Sequence, residues 1–289
     1  MLEKRTKDAW YLAKDLLGSV NSVIHQPYGH AGITFELRSD SGEYILKTKS
    51  PTGAFDHTER HINVISAMGI RTPTILRRGS HANFDYLLLT KVPGIDLGHA
   101  LGKMTPDQMT RLASEIVQIE RQVMSLPKGT GFGWTPMDVA GPFDNWFDVV
   151  ERDSQNAPEF VRAEVLEWRS YLQNVEPTCF LDDLTVKNVI VENGELQGIV
   201  DLDGVCYGDP LYWLSLAEVT SILDVGLDTV FYGNELRRHW GMSEETSAIC
   251  DLYNVIQAWF FLIKDSDLKI LENWSTERLH RVYSFREKR

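Results

Sequence analysis

The sequence predicts an α+β protein in two parts, a small sheet-rich lobe over residues 1–91 and a larger, mainly helical lobe over 92–289. Three observations carry the prediction. Short runs rich in β-branched and aromatic residues crowd the first part. The segment "VPGIDLG" (92–98) interrupts the chain with Pro and Gly. Beyond it apolar residues recur at helical spacing, broken by a single pair of strand-like runs.

Taken in order, "TKDAWYLAKDLLG" (6–18) carries apolar residues at helical spacing and stops at Gly18. "SVIHQPY", "ITFELRS" and "EYILKTK" follow as strands, with "SDSG" as the hairpin turn between the last two. "FDHTERHINVISAMG" (55–69) reads as a helix ending at Gly69, and "RTPTILRRG" and "FDYLLLTKV" as two further strands. After the connector, Thr105 stands as N-cap, Pro106 occupies the first helical position and Gln108 completes a capping box. That helix presents Met109, Leu112, Ile116 and Ile119 as its apolar face. The strand pair then interrupts the helices, and about four more helices finish the chain, without internal repeats or low-complexity stretches.

Composition excludes several classes of function. A formal charge of −12 repels nucleic acid and anionic membrane, and it steers cationic small molecules inward. The longest strongly apolar run, "AWFFLI" (258–263), is far too short for a membrane span, and the charged start "MLEKRTKDAW" is unlike a signal peptide. Three widely spaced cysteines, Cys179, Cys206 and Cys250, suit neither a disulfide framework nor a metal knuckle. A reducing, cytoplasmic setting is expected.

The chemistry concentrates in "LDDLTVKNVIVENGELQGIVDLDG" (181–204). Asp183 and Asn188 stand five apart in a loop before the strand "VIVEN". Asn193-Gly194 makes a tight hairpin. The return strand "LQGIV" delivers Asp201 beside Asn188. One end of a two-stranded ribbon thus holds an acid, a carboxamide and a second acid. An oxygen-preferring divalent ion would take the amide and one carboxylate, leaving Asp183 to accept a hydroxyl proton. The alternative is that Asp183 and Asn188 form Asx-turns and Asp201 caps a loop.

The block "DLTVKNVIVENGELQGIVDLDGVCYGDP" resembles the core motif of the aminoglycoside phosphotransferases and their kinase-like relatives. In that family a His-Gly-Asp-x4-Asn loop precedes the hairpin, and Ile-Asp-Phe/Trp and Gly-Asp-Pro follow it. "YLLLTKVPGIDL" (86–97) looks like the family's hinge, and "GTGFGW…DNW" (129–146) is similar to a stretch in hygromycin-type members. The resemblance implies a bilobal protein-kinase-like fold that binds Mg²⁺ with ATP or GTP between its lobes. The acceptor it implies is a small, amine-bearing molecule, such as an aminoglycoside-like antibiotic or a related metabolite. It makes Asp183 the catalytic base and Asn188 and Asp201 the Mg²⁺ ligands. Lys47 would meet the nucleotide phosphates and pair with Glu59. Gly29 and Gly32, in "YGHAGITF", would occupy the glycine-rich loop, with Thr90 and Val92 as nucleotide contacts in the hinge.

Several positions depart from the family pattern. Leu181-Asp182 replaces His-Gly, Thr185 stands where many members have histidine, and Trp213 replaces an aspartate after Gly208-Asp209-Pro210. Lys187 would offer a cation to the transferring phosphoryl group, or is a solvated loop lysine. The altered His-Gly keeps a second reading open, a catalytically silent relative that senses nucleotide or binds a partner.

Rival motifs fail on geometry. His57 and His61 have zinc-face spacing, but Glu59 sits roughly 200° around the helix from His57, so no zincin glutamate is available. Glu59 is expected to face inward and both histidines to face away. "GHALGKM" (98–104) is one residue short of a P-loop. "GTGFGWTP" (129–136) runs into Trp134 and Pro136 rather than a helix, so it is no dinucleotide fingerprint. Asp144, Asp148, Glu151, Glu218, Asp224 and Asp228 are candidates for an acidic rim around a cationic acceptor.

Overall fold

A computed structural model describes residues 2–27, 32–50, 53–81, 83–265 and 267–288. The chain divides into two compact units, Met1–Pro93 and Gly94–Arg289.

The first unit opens with α1 (Leu2–Leu17), one turn earlier than the sequence pattern suggests, because "LEKR" supplies good helix formers without apolar periodicity. Strands β1 (Ser22–Gln26), β2 (Ile33–Ser39) and β3 (Gly42–Lys49) follow as an antiparallel meander. After α2 (Asp56–Ala67) come β4 (Ile75–His81) and β5 (Phe84–Thr90). The sheet order is β1-β2-β3-β5-β4. The succession of three strands, helix and two strands is the one expected. Ala9, Leu12 and Ala13 of α1 pack on Phe35, Leu37, Leu46, Phe84 and Leu88, so the alternating apolar residues of β2 and β3 face this helix. Strand β5 lies inside the sheet and buries consecutive residues Leu87, Leu88 and Leu89.

The second unit begins with the short β6 (Ile95–Asp96) and α3 (Leu97–Ala100), then α4 (Pro106–Val123). Helix α4 carries the expected capping box: Thr105 Oγ1 accepts from Gln108 N–H, and Gln108 returns its side-chain oxygen to Thr105 N–H. β7 (Gly133–Thr135), α5 (Trp146–Ser154), α6 (Glu159–Glu167), α7 (Arg169–Gln173) and β8 (Thr178–Phe180) come next. The predicted hairpin is β9 (Val189–Glu192) and β10 (Glu195–Ile199), followed by β11 (Val205–Gly208). Helices α8 (Leu211–Asp224), α9 (Val230–Trp240), α10 (Glu244–Leu262) and α11 (Lys269–Lys288) complete the chain.

Two three-stranded sheets frame the 181–204 segment. One has the order β10-β9-β6 and the other β7-β11-β8. Strands β6, β7 and β8 are two or three residues long, too short for alternation to mark them. Val219 and Ile222 of α8, Ala258 and Leu262 of α10, and Leu271 and Trp274 of α11 form one core. Among the described residues no helix is long and apolar enough to cross a membrane.

Candidate active site

The loop from 181 to 188 is suspended between β8 and β9 and pinned at four points. At its start the Leu181 N–H donates to both carboxylate oxygens of Glu120, 3.2 Å each, from inside α4. In its middle the Trp213 indole N–H donates to the Leu184 carbonyl at 2.9 Å. The Val186 carbonyl accepts from Gly98 N–H at 3.0 Å. At its end the Asn188 side-chain amide donates to the Asp183 carbonyl at 2.8 Å. Leu181, Leu184 and Val186 are buried, whereas Asp183 and Lys187 are exposed. The apolar residues therefore anchor a loop that displays Asp183 outward.

The turn uses the main chain of Asp183. Its carbonyl accepts from Thr185 N–H (2.8 Å) and from the Asn188 amide, while its Oδ1 lies 3.5 Å from the Thr185 hydroxyl. Donation by the amide nitrogen of Asn188 fixes the other end of that side chain as oxygen, the end a hard cation would take. Asn188 also accepts Val200 N–H on its main-chain carbonyl at 2.9 Å, which draws the end of β10 alongside the loop. Between the strands Asn193 and Gly194 both have positive φ, +55° and +79°, as a tight hairpin turn with right-handed strand twist requires. Gln108 of α4 donates to the Asn193 carbonyl at 3.0 Å and ties the hairpin tip down.

Asp201, directly after this ribbon, has φ +62°. A left-handed conformation in a non-glycine residue costs on the order of 1–3 kcal/mol and persists where surroundings impose it. Asn188 is thus tied to Asp183 through its amide and to the residue before Asp201 through its carbonyl, and Asp201 itself holds a left-handed backbone. A carboxylate and a carboxamide oxygen suit Mg²⁺, which keeps waters and takes its remaining ligands from phosphates. Among the described residues no cluster of three or more His, Cys, Asp or Glu side chains forms a self-contained metal site.

Behind the loop, Asp209 is buried and receives three donors: Leu211 N–H at 3.0 Å, Tyr171 OH at 3.0 Å and Tyr253 OH at 2.9 Å. Burial still raises its pKa above the usual carboxylate value. Trp213, which replaces an aspartate in the family pattern, is fully buried and bonds the loop carbonyl directly. It fills the position with a donor.

Other predicted residues have different surroundings from those expected. Glu59, expected to pair with Lys47, is partly exposed and accepts from Arg78 at 2.7 Å. Lys47 itself is half-buried on β3, between buried Leu46 and Thr48. His61 is fully buried rather than facing solvent, while His57 is exposed. The apolar stripe of α2, Ile62 and Ile65, is adjacent and carries His61 into the core. Gly32 brings two backbones together: a Cβ there would lie 2.9 Å from the Thr48 carbonyl oxygen. Gly29 lies outside the described residues. The Thr90 N–H and hydroxyl are both engaged with Thr74, at 3.0 and 2.8 Å, and Val92 is half-buried just past β5.

Lys187 is held by Asp224 at 2.9 Å. Glu218, suggested for an acidic rim, is buried and taken by Arg237 (2.7 Å) and Asn254 (2.7 Å). Asp148 accepts from the Asn145 side chain at 2.8 Å. The rim thus loses three of its candidates to structural pairs.

Sequence reading missed Glu120 and the surroundings of Asp182. Glu120 follows Ile116 by four residues on the buried stripe of α4, which is the signal that would have found it. Burial raises its pKa well above the usual value. Asp182 accepts from the Trp134 indole N–H at 2.6 Å.

Strands and helices in this arrangement define a kinase-like phosphotransferase fold. The sequence matches the phosphotransferase enzyme family (APH) over residues 29–220, and the chain belongs to that family. Among solved structures it is similar to aminoglycoside phosphotransferase APH(4)-Ia in a thermostable form with ADP and hygromycin B. That match has a TM-score of 0.69 and 15% identity, covering 94% of this chain and 96% of the other. Aminoglycoside phosphotransferase APH(2'')-Ib with ADP matches at TM-score 0.61 and 15% identity over 96% of each chain. The APH(2'')-IIa complex with streptomycin and ATP matches at 0.58 and 15%, over 94% and 95%. No curated protein sequence matches the chain.

Proposed function

We propose that this phosphotransferase moves the γ-phosphoryl group of a nucleoside triphosphate, with Mg²⁺, to a hydroxyl of a small amine-bearing molecule. The observation that carries the reading is the frame that unites Asp183, Asn188 and Asp201, stapled by the Asn188 amide on the Asp183 carbonyl. When bound, Mg²⁺ would supply positive charge against the negative charge that develops during transfer. Asn188 and Asp201 would hold it. Asp183 accepts the acceptor's hydroxyl proton as the new O–P bond forms and the bond to the leaving diphosphate breaks. Lys47 would steady the phosphates, with Gly29, Gly32, Thr90 and Val92 as further nucleotide contacts.

ATP is the favoured donor over GTP, since ADP and ATP occupy the similar enzymes above. An aminoglycoside-like acceptor is favoured by their bound hygromycin B and streptomycin and by this chain's charge of −12. Thermal unfolding with and without Mg²⁺, adding ATP and GTP in turn, tests the reading. Ligand at about a hundred times its Kd stabilises by ~2.7 kcal/mol, which raises Tm by a few degrees. The expected result is a Mg²⁺-dependent rise with ATP larger than with GTP. No rise with either contradicts the proposal.

A further inference from the structure

Asp182 stands where the family has glycine, one residue before the base assigned above. Its Oδ2 accepts from the Trp134 indole N–H at 2.6 Å, while Oδ1 is sealed from solvent without any hydrogen-bond partner. Carboxyl groups face it from its own loop (Asp183), from α5 (Asp153) and from α4 (Glu120). Cys206 of β11 and Tyr212 of α8 are close enough to feel its charge. The nearby cation, Arg152, is already committed. It bonds Asp153 Oδ1 at 2.6 and 2.9 Å and lies over the Trp134 ring, 4.8 Å from its centroid. Among the described residues, a second negative charge beside Asp183 would have no cation of its own and one oxygen with no donor.

We propose that Asp182 is a positioning residue for the phosphoryl transfer inferred above. It is held there as a neutral carboxyl whose Oδ1 stays sealed inside the seated catalytic loop, and when the proton leaves the loop opens to hydrate Oδ1 although the Trp134 bond to Oδ2 is kept. Burial is the first cause, and the charges of Asp183 and Asp153 add to it; together they outweigh the Trp134 bond and push Asp182 up to about 7. Ionisation requires Oδ1 to find water, which the seated loop excludes. The loop that displays Asp183 therefore loosens as pH rises through neutrality, and turnover falls with it.

This inference rests on the proposed activity, so its test has one arm without turnover. The Trp134 indole N–H resonance, assigned by its loss in Trp134→Phe, is followed from pH 5.5 to 9. In the parent protein it moves with a midpoint near 7, and in Asp182→Asn that movement is gone. A parent resonance that stays flat, or that moves equally in Asp182→Asn, overturns the proposal. In the second arm kcat of the parent falls roughly 25-fold between pH 6.5 and 8.5, following the neutral fraction of a group with a midpoint near 7. Asp182→Asn loses this fall. Trp134→Phe, lacking the donor that favours the anion, shifts it to higher pH. Identical pH profiles in parent and Asp182→Asn overturn the positioning role even if the resonance titrates. Absence of turnover in the parent at every pH overturns the phosphotransferase reading and the positioning role together, while the resonance still decides the charge state.

Discussion

Two regions of the larger unit bury carboxylates, and they treat them oppositely. At the junction of α8, α9, α10 and α11, Glu218 and Asp251 meet Arg237 and Arg278. Arg237 bonds Glu218 at 2.7 Å twice and Asp251 at 2.6 Å, and Arg278 bonds Asp251 at 3.2 Å. Two negative charges face two positive ones. Around the 181–188 loop, buried Glu120 and half-buried Asp182 have hydrogen-bond donors, a main-chain N–H and an indole N–H, but neither makes an ion pair among the described residues. The first region neutralises its charge because it only has to hold helices together. The second supplies hydrogen-bond donors but no counter-ion, so burial raises the pKa of both carboxyls, and such perturbed carboxyls gather where chemistry is done.

The comparison breaks most visibly at Arg237. Arg237→Met leaves Glu218 and Asp251 short of a partner inside the protein, and a loss of about 3–5 kcal/mol is expected in denaturant unfolding. Turnover per folded molecule is expected to stay at the parent value. If kcat falls while stability holds, the cluster is not the structural device described here.

Trp213→Phe acts on the link between the two regions. It strips the Leu184 carbonyl of its donor inside the core, at a cost of about 1–3 kcal/mol. Because the loop carrying Asp183 loses an anchor, kcat is expected to fall more than nucleotide affinity. Steady-state kinetics at saturating nucleotide check this.

A smaller effect, readable through pH, comes from Glu120→Gln. The folded pKa of Glu120 is raised, so the native state binds more protons than the unfolded chain at pH values above the ordinary glutamate pKa. Stability contributed by this group is present at low pH and declines as pH climbs from about 4.3 toward the raised value. Glu120→Gln removes that decline, so its Tm relative to the parent improves as pH rises. A Tm difference that is constant from pH 5 to 8 contradicts the burial of a neutral carboxyl.

Lys187→Met is expected to matter least. Its pair with Asp224 is half exposed, which limits the loss to about 0–1 kcal/mol. A tenfold loss of kcat instead would place Lys187 on the transferring phosphoryl group.

Periodicity carried most of the fold because long elements have room to display it. The strands β1 to β5, helix α4 with its capping box, and the β9–β10 hairpin all follow from runs of four or more residues and their turn chemistry. Strands β6, β7 and β8 were illegible for lack of length. The placement of Asp183 and Asn188 in one loop before a hairpin, with Asp201 at the end of its return strand, was legible because their spacing and turn chemistry fix the local chain path. Glu218 and Asp224 looked like rim carboxylates because sequence shows a charge but not its partner. Arg237 and Lys187, 19 and 37 positions away, are the partners that folding supplied. His61 misled for the same reason: its helix position was right, but one residue's turn decides between core and solvent.

The most direct measurement of the central claim is transfer of labelled γ-phosphoryl from ATP to a panel of amine-bearing polyols, comparing the parent with Asp183→Asn. Loss of a general base costs about 10²–10⁴ in rate, with the carboxamide leaving the loop's main-chain bonds in place. The expected result is transfer by the parent and at least a hundredfold loss in Asp183→Asn, with the Mg²⁺-nucleotide rise in Tm retained. Equal transfer by both proteins would show that Asp183 is not the base and would return the loop to a turn.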